Sequence, residues 1–311
     1  MNRISHNMKP ENLNSFNTLS NLVGSGKYLV VQNTRMDFES NTYVSELWKR
    51  SNGEWKKFKS GDHNFSNPKF GSMPNTIYYV KTNRGIQDKS KSKKNLSTIH
   101  VQIGRSIEKV FEIEGNVSNY SLSNNEKFMY ITTNEWSEEF KNIESKDSEP
   151  MYYENLPFRF DTRGIIYNKR GHVYKVNLKT KKFNKIVDGD KSDIISIDSL
   201  AESNDDVTIA YNQYNSKGTM LEEKIGSLGG TKIKEIFSKG SIGNLFYFKG
   251  DLYGVGLRNR FDWPTNTNIL KISKTGKISY KYHSLDRNVV KAETNNSRLY
   301  FLYEDSGKTL Y

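Results

Sequence analysis

The side chains that could bind a polar or charged ligand are concentrated in residues 153–178, which read YENLPFRFDTRGIIYNKRGHVYKVNL. The first half of this segment supplies the candidate binding residues Glu154, Phe158, Arg159, Phe160 and Arg163. A guanidinium group presents a planar fork of donors that fits a carboxylate or a carbonyl oxygen. In the alternative interpretation, the two arginines pair with Asp161, Glu154 or backbone, and the two phenylalanines pin the loop onto the blade.

No arrangement of residues that is typical of catalysis occurs in the sequence. There are no cysteines, which excludes disulfides, thiolate metal sites and a cysteine nucleophile. The five histidines do not pair at the spacing of metal ligands, so we expect no metal and no cofactor. The nucleophile elbow of a serine hydrolase, Gly-x-Ser-x-Gly, does not occur either. Adjacent carboxylates such as Glu138–Glu139 leave a two-carboxylate glycosidase open, although neighbours on a strand point to opposite faces.

The overall charge is strongly positive without being concentrated. The formal net charge is +12, but the lysines and arginines are dispersed along the chain. The one dense run, KSKSKK at Lys89–Lys94, is typical of a solvated loop, so the charge disfavours a nucleic-acid partner. No apolar stretch approaches the length of a signal peptide or a membrane span. We therefore expect a cytoplasmic protein without membrane association.

Short apolar strands recur along the chain at a regular interval. They are YLVV, IYYV, FMYI, VTIA, LYGV and LYFL, which begin at Tyr28, Ile77, Phe128, Val207, Leu252 and Leu299. Four of the five intervals are 45–51 residues, and the third is about 30 residues longer. Each strand follows a turn, and a hairpin-like pair of alternating apolar and polar residues comes after it. The pattern predicts about four strands per repeat.

Four strands in each of several 45–50-residue repeats indicate an all-β fold, a β-propeller with four-stranded blades. A single blade cannot bury both faces of its sheet, so blades must stack on one another. We expect an N-terminal extension with a short helix over residues 1–18 and the propeller over residues 19–311. The surplus residues form an insertion at about 132–170 in the third blade. About six blades are predicted, the last incomplete, and an irregular β-sandwich is the alternative fold.

Several segments carry a resemblance to a known family. The segment MKPENLNSFNTLSNLVGSGKYLVV, residues 8–31, resembles the opening of acylaminoacyl-peptidase-like members of the prolyl oligopeptidase family of serine peptidases. The segment LPFRFDTRGIIYNKRGHVYKVNL, residues 156–178, resembles the Leu-Pro-Tyr-Arg-x-Asp-Gly-x-Gly-Phe motif of that family. Thr162 and Ile165 depart from it, where the family has a glycine and an aromatic residue. The resemblance covers nearly the whole chain but only the propeller half of the family architecture.

The resemblance implies a seven-bladed propeller that covers the active site of an α/β-hydrolase domain and admits only short peptides. That hydrolase domain, with its catalytic triad, is absent from this sequence. The chain is then expected to be the substrate-gating half of a peptidase, truncated and without hydrolase activity alone. Its partners would be a peptide substrate or the missing α/β-hydrolase domain. Arg159 or Arg163 would bind a peptide carbonyl or carboxylate, and Glu154 would hold a peptide N-terminus.

Two other hypotheses stay open beside the peptidase propeller. The chain could be a stand-alone propeller that binds a protein or peptide partner without chemistry, or a propeller glycosidase. The incomplete sixth repeat has two explanations, a chain that continues beyond Tyr311 or an N-terminal strand that completes the last blade, and the weak strand character of residues 1–8 favours the first. An incomplete blade also exposes a strand edge, through which copies of the chain could associate.

Overall fold

The computed structural model describes residues 17–73, 75–84, 96–141, 152–160, 164–203, 206–262, 265–281, 285–295, 298–305 and 308–310. Most of these residues lie in β-strands, and two helices of four residues each are present, α1 (Glu138–Lys141) and α2 (Gly189–Ser192). Neither of these helices is long or apolar enough to cross a membrane. The predicted short helix near the N-terminus lies outside the described residues.

Residues 1–117 form one compact unit, which contains the first two blades. Blade one is β1 (Asn17–Ser25), β2 (Tyr28–Asp37), β3 (Thr42–Ser51) and β4 (Glu54–Lys59). Blade two is β5 (His63–Phe70), β6 (Thr76–Asn83), β7 (Leu96–Ile103) and β8 (Ser106–Glu114). Both are antiparallel meanders. The β3–β4 turn has positive φ at Asn52 (51°) and Gly53 (88°), as the tight hairpin turn of an Asn-Gly pair requires.

Residues 118–311 form the second unit, with three further blades and a smaller sheet. Blade three is β9 (Asn116–Leu122), which begins just before the unit boundary, β10 (Phe128–Trp136), β13 (Lys169–Asn177) and β14 (Phe183–Val187). Blade four is β15 (Ile194–Ser203), β16 (Asp206–Tyr214), β17 (Leu221–Gly229) and β18 (Lys232–Phe237). Blade five is β19 (Ser241–Phe248), β20 (Asp251–Leu257), β21 (Asn268–Ile272) and β22 (Ile278–Tyr280).

The sixth repeat forms a sheet of only three strands, β23 (Val289–Asn295), β24 (Arg298–Asp305) and β25 (Lys308–Leu310). The predicted all-β propeller with four-stranded blades is confirmed. The described residues form five such blades, where about six were predicted with the last incomplete. The extra residues of the third repeat lie between β10 and β13. We call residues 137–168 the interstrand segment; it contains α1 and a two-stranded ribbon, β11 (Arg159–Phe160) and β12 (Gly164–Ile165).

Apolar side chains join neighbouring blades within each unit. In the second unit, Val173 and Val187 of blade three pack with Ile197, Leu200 and other residues of blade four. Further clusters join blade four to blade five and blade five to the three-stranded sheet. In the first unit, Leu47 of blade one packs with residues of blade two. These contacts bury the faces of the sheets, which one blade alone would leave in water.

The first strand of most blades contains a bulge, and a repeated asparagine lies in it. The strand register shifts around Asn21, Asn67 and Asn244, and each of these residues has a left-handed φ of 44–49°. Asparagine tolerates this conformation better than most residues. The side chains link blades: the Asn21 amide donates to Asn67 Oδ1 at 3.0 Å, and Asn244 Oδ1 accepts from the backbone of the next sheet at 2.7 Å. Blade four carries Asp198 at the corresponding shift.

We expect Gly171→Ala to lower the free energy of unfolding by about 1–3 kcal/mol, the usual cost of overpacking. A Cβ atom on Gly171, in β13, would lie 2.8 Å from the backbone nitrogen of Ile197 in blade four. Gly229→Ala is the matched control, because a Cβ atom there meets nothing within 4 Å. Urea unfolding of the two variants checks the prediction. Equal stability of both would mean that blades three and four do not pack as closely as described.

Candidate functional site

The interstrand segment is fixed to blade four by hydrogen bonds on both sides of Pro157. The backbone N–H of Leu156 donates to the carbonyl of Gly218 at 2.7 Å, in the turn between β16 and β17. The hydroxyl of Tyr214 donates to the carbonyl of Pro157 at 2.8 Å. Since both partners belong to blade four, the segment crosses from its own blade to the next one.

Stacked aromatic rings hold the segment together. The rings of Tyr153 and Phe158 stack at 4.5 Å between centroids, and Tyr167 meets Tyr153 edge-on at 5.4 Å. Tyr167 also lies 6.3 Å from Tyr214 of blade four. Offset and edge-to-face ring pairs of this kind add stability beyond their buried area. Phe158, one of the predicted binding residues, is thus engaged in packing within the segment.

Of the other four predicted binding residues, the structure describes the side chains of two. Glu154 and Arg159 are exposed, and Arg159 lies on the ribbon strand β11 opposite Ile165. Arg163 and the side chain of Phe160 lie outside the described residues. Among the described residues, no ion pair joins Arg159 or Glu154 to another charged group. Their role in binding a ligand stays a prediction.

A cavity of about 370 Å³ lies where the interstrand segment meets blades three and four. Its walls are Ser118 and Asn134 of blade three, Ile166 near the end of the segment, Lys169 at the start of β13, and Ile195, Ser196, Ile197, Asp198 and Leu221 of blade four. We call it the interblade pocket. Its mixture of apolar walls with a few polar groups is typical of sites for small ligands.

Two bulges explain why four consecutive residues of β15 line the interblade pocket. In a regular strand, successive side chains point to opposite faces. The register of β15 against β16 shifts between Ile194 and Ser196 and again between Ile197 and Ser199. Bulges bend a strand and re-aim its side chains. Residues 195–198 can therefore face the same cavity.

The polar groups of the interblade pocket come from both blades. The half-buried Lys169 has its ammonium 5.5 Å from the centre of the Trp136 ring, and these two residues are register partners on β13 and β10. Asn134, two residues before Trp136, has a buried side-chain oxygen with no hydrogen-bond partner in the described part of the chain. The amide of Asn212 donates to Ser196 Oγ at 3.0 Å and also to the carboxylate of Asp198.

The sequence-based search for ligand-binding residues did not select Lys169, Asn134 or Asp198. Lys169 lies a few residues after Arg163, the last of the predicted binding residues, and next to Arg170. In the structure, Arg170 donates to the carbonyl oxygens of Tyr167 and Lys169 at 2.7 and 2.9 Å, so it fastens the end of the segment. The one signal for Asp198 was its place in the repeat, where other blades have asparagine.

A second, larger cavity of about 590 Å³ lies in blade five, beside the loop between β20 and β21. It is lined by Arg258, Asp262, Asp286 and several neutral side chains. Asn266 donates to the Asp286 carboxylate at 2.9 Å, so part of its polar lining is already paired. Residues 263–264 and 282–284, next to it in the chain, are outside the described part. The interblade pocket, by contrast, lies beside the segment that contains the predicted binding residues.

One cluster in the described chain has the composition of a metal site: His172, Asp188 and Asp190. The His172 ring is completely buried, and its Nδ1 accepts the backbone N–H of Gly189 at 3.0 Å. In the neutral ring the proton is then on Nε2, which lies 3.8 Å from the Asp190 carboxylate. An Nε2 atom that carries a proton has no lone pair for a metal.

Positive side chains already surround the two aspartates of this cluster. Lys185 and Lys191 lie 3.7 and 3.6 Å from the Asp188 carboxylate, and Arg170 lies 4.0 Å from that of Asp190. Three nearby cations oppose the binding of a further positive ion. The arrangement fits an internal ion-pair network around a neutral histidine better than it fits a cation site.

Comparison with known proteins gave matches in structure but not in sequence. No family model and no curated protein matches the chain. The acylaminoacyl peptidase of Pyrococcus horikoshii superposes with a TM-score of 0.70 at 14% identity, over 96% of this chain and 44% of that one. An acylaminoacyl peptidase in complex with Z-Gly-Gly-Phe-chloromethyl ketone gives 0.69 at 14% identity, over 93% of this chain and 43% of that one.

The β-propeller domain of the Trilobed protease from Pyrococcus furiosus, described as an open velcro topology, gives a TM-score of 0.62 at 12% identity. This match covers 94% of the present chain and 81% of that domain. The fold of the chain is thus the β-propeller found in these peptidases, as the sequence resemblance implied. The chain spans less than half the length of the acylaminoacyl peptidase structures that it matches.

We expect Tyr214→Phe to lower the free energy of unfolding by about 0.5–1.5 kcal/mol, the usual net contribution of one hydrogen bond. The change removes only the hydroxyl that holds the Pro157 carbonyl. Tyr211→Phe is the control, since its buried ring lies on the same strand and its hydroxyl has no hydrogen bond to a described residue. Equal effects of the two changes, measured by chemical unfolding, would contradict this anchoring.

The buried His172 predicts a loss of stability in acid. Burial is the main cause that lowers the pKa of His172 from its ordinary 6.5, so the folded protein binds this proton less readily than the unfolded chain. The contribution of neutral His172 to the free energy of unfolding is therefore fully present above about pH 6.5 and decreases as the pH falls. We expect His172→Gln to make the free energy of unfolding less dependent on pH between 7 and 5, by at most about 1.4 kcal/mol per pH unit.

The other histidines, including His100, whose pKa is also lowered mainly by burial, stay unchanged in this variant. Urea unfolding of both proteins at several pH values therefore isolates the contribution of His172. If the free energy of unfolding of the variant depended on pH as strongly as that of the unmodified protein, the burial of His172 would not contribute to the pH dependence.

Proposed function

We propose that this chain is the peptide-binding, substrate-gating propeller domain of an acylaminoacyl-peptidase-like serine peptidase, and that the interblade pocket contacts the peptide. The observation that supports this most directly is the position of the pocket. Ile166 and Lys169 of its lining lie in the segment that resembles the family motif, and its other walls come from blades three and four. The β-propeller fold shared with the matched peptidase structures agrees with it.

The chemistry of the interblade pocket suits a peptide. Ile166, Ile195 and Leu221 offer an apolar wall for a side chain, and Ile166 and Ile195 are buried in one cluster. Asn134, Ser118 and Ser196 can hydrogen-bond amide groups. Apolar walls with a small number of polar groups give both affinity and orientation. Glu154 and Arg159, on the exposed part of the interstrand segment, would extend these contacts to a longer peptide.

Hydrolysis is assigned to a separate α/β-hydrolase domain and not to this chain. The sequence contains no Gly-x-Ser-x-Gly elbow, and its described residues lack the alternation of strands and helices that an α/β-hydrolase fold requires. We expect the chain alone to bind unstructured peptides without cleaving them. A serine-directed fluorophosphonate probe should leave it unlabelled, and labelling at one serine would contradict this assignment.

Peptide binding is tested with fluorescent, unstructured peptides of about five to ten residues, followed by polarisation. We expect saturable binding that Leu221→Glu weakens at least about tenfold, because the change places a carboxylate in the apolar wall. Met220→Glu is the matched control, since it adds the same charge one residue away, outside the lining of the pocket.

Thermal unfolding of both variants would show that they remain folded. No peptide binding by the unmodified chain would contradict the proposal. Binding of a folded protein partner instead of short peptides would support the stand-alone propeller.

A further inference from the structure

Lysine ammonium groups alternate with aromatic rings where blades one and two meet. The half-buried Lys49 has its ammonium 4.4 Å from the centre of the Tyr28 ring and 5.8 Å from that of Phe58. The half-buried Lys59 lies 5.1 Å from the same Phe58 ring and 5.0 Å from the ring of Tyr79 in blade two. The two distances to Phe58 place these ammonium groups at most about 11 Å apart, close enough for their charges to act together.

A third lysine comes from blade two. Lys81 follows Tyr79 by two residues on β6, so its side chain points to the same face of the sheet. The ring of His100 stacks on Tyr79 at 5.7 Å between centroids. Burial is the first cause that lowers the pKa of His100, and the charges of Lys81 and Lys59 are the next. Both blades therefore bring positive charge to this place. We call Lys49, Lys59 and Lys81, with the rings of Tyr28, Phe58 and Tyr79, the lysine seam.

The positive charges of the lysine seam are not matched by acidic groups. In the described part of the chain, no carboxylate lies within ion-pair distance of Lys49, Lys59 or Lys81, whereas the nearby Lys57 lies 3.2 Å from the Glu46 carboxylate. An aromatic face attracts an ammonium group without cancelling its charge. Burial lowers the pKa of Lys59, so the folded chain holds this charge at a cost in free energy. A bound anion would remove that cost.

Packing between rings does not require several lysines at one place. In blade three, the ammonium of Lys175 lies 4.1 Å from the centre of the Phe128 ring and 5.5 Å from that of Tyr130. Its register partners are Tyr130 and Asn184, neither of which is basic. This lysine packs between two rings as those of the seam do. What distinguishes the seam is that ammonium groups from two blades converge there without a counter-charge, which favours an anion.

We propose that the lysine seam binds a compact anion of the phosphate class, with two or more negative charges, whose oxygens accept hydrogen bonds from the ammonium groups of Lys49, Lys59 and Lys81. An ammonium group is a point charge with rotatable donors, so it suits the oxygens of a phosphate without requiring a planar partner. The seam belongs to the first unit, and all residues that line the interblade pocket belong to the second. This inference is therefore independent of the proposed function.

The test is calorimetry of the full chain with sodium pyrophosphate, at an ionic strength held constant with potassium chloride. We expect saturable binding at one site, which Lys59→Met and Lys81→Met each weaken at least about tenfold, because each removes one charge-assisted contact. Lys175→Met is the matched control, since it removes the same charge from between two rings in blade three. Methionine keeps an unbranched stem, and thermal unfolding would show that the variants remain folded.

A phosphate group can be free or can be carried by a peptide, and a second arm of the experiment distinguishes these sources. A short phosphoserine peptide is compared with its unphosphorylated form and with pyrophosphate. Tighter binding of the phosphoserine peptide than of pyrophosphate would assign the seam to a phosphate carried by a peptide. Tighter binding of pyrophosphate would assign it to a free anion. Either result supports a site of the phosphate class.

Three results would overturn this inference. The first is the absence of saturable binding for both pyrophosphate and the phosphoserine peptide. The second is an equal loss of affinity in Lys175→Met and in the two seam variants, which would show that only the net charge of the chain matters. The third is binding of hexaglutamate as tight as that of pyrophosphate, which would show a surface for acidic peptides instead of a phosphate site.

Discussion

The blades of this protein depend on their neighbours, because one sheet cannot cover its own apolar faces. In the second unit, neighbouring blades bury each other's apolar side chains. One such cluster lies around Val173 and Ile209, and another around Ile225 and Leu270. The fit is close enough that Gly171 leaves no room for a side chain against Ile197. Stacking of this kind makes the stability of a blade depend on its neighbours rather than on its own strands.

The interblade pocket arises where this stacking is locally interrupted. Bulges in β15 break the alternation of the strand and expose consecutive side chains to a cavity, while the buried residues on either side keep the blades in contact. Ile166, near the end of the interstrand segment, forms part of its wall, and the segment is held by Tyr214 and by its own stacked rings. The packing that gives the protein its core thus also positions the polar groups of the site.

Much of the fold could be predicted from the sequence, because the alternation of apolar and polar residues indicates strands and the regular spacing of apolar segments indicates repeated blades. The recurrence of apolar strands from Tyr28 to Leu299 predicted the blades, and the one long interval predicted where extra residues would lie between β10 and β13. The site was harder to predict, since the side chains that line it are brought together by bulges and by contacts between blades. Phe158 packs within the segment, while Lys169 and Asp198 are far apart in sequence and line one pocket only because of the fold.

The central claim is that peptides bind between blades three and four. Methyl NMR of isoleucine-labelled protein during titration with unstructured peptides tests it most directly, since the pocket has three isoleucines in its walls. The account predicts that the methyl signals of Ile166, Ile195 and Ile197 shift on binding, while those of Ile269 and Ile272 in blade five do not. Shifts confined to blade five, or no shifts at all, would contradict it.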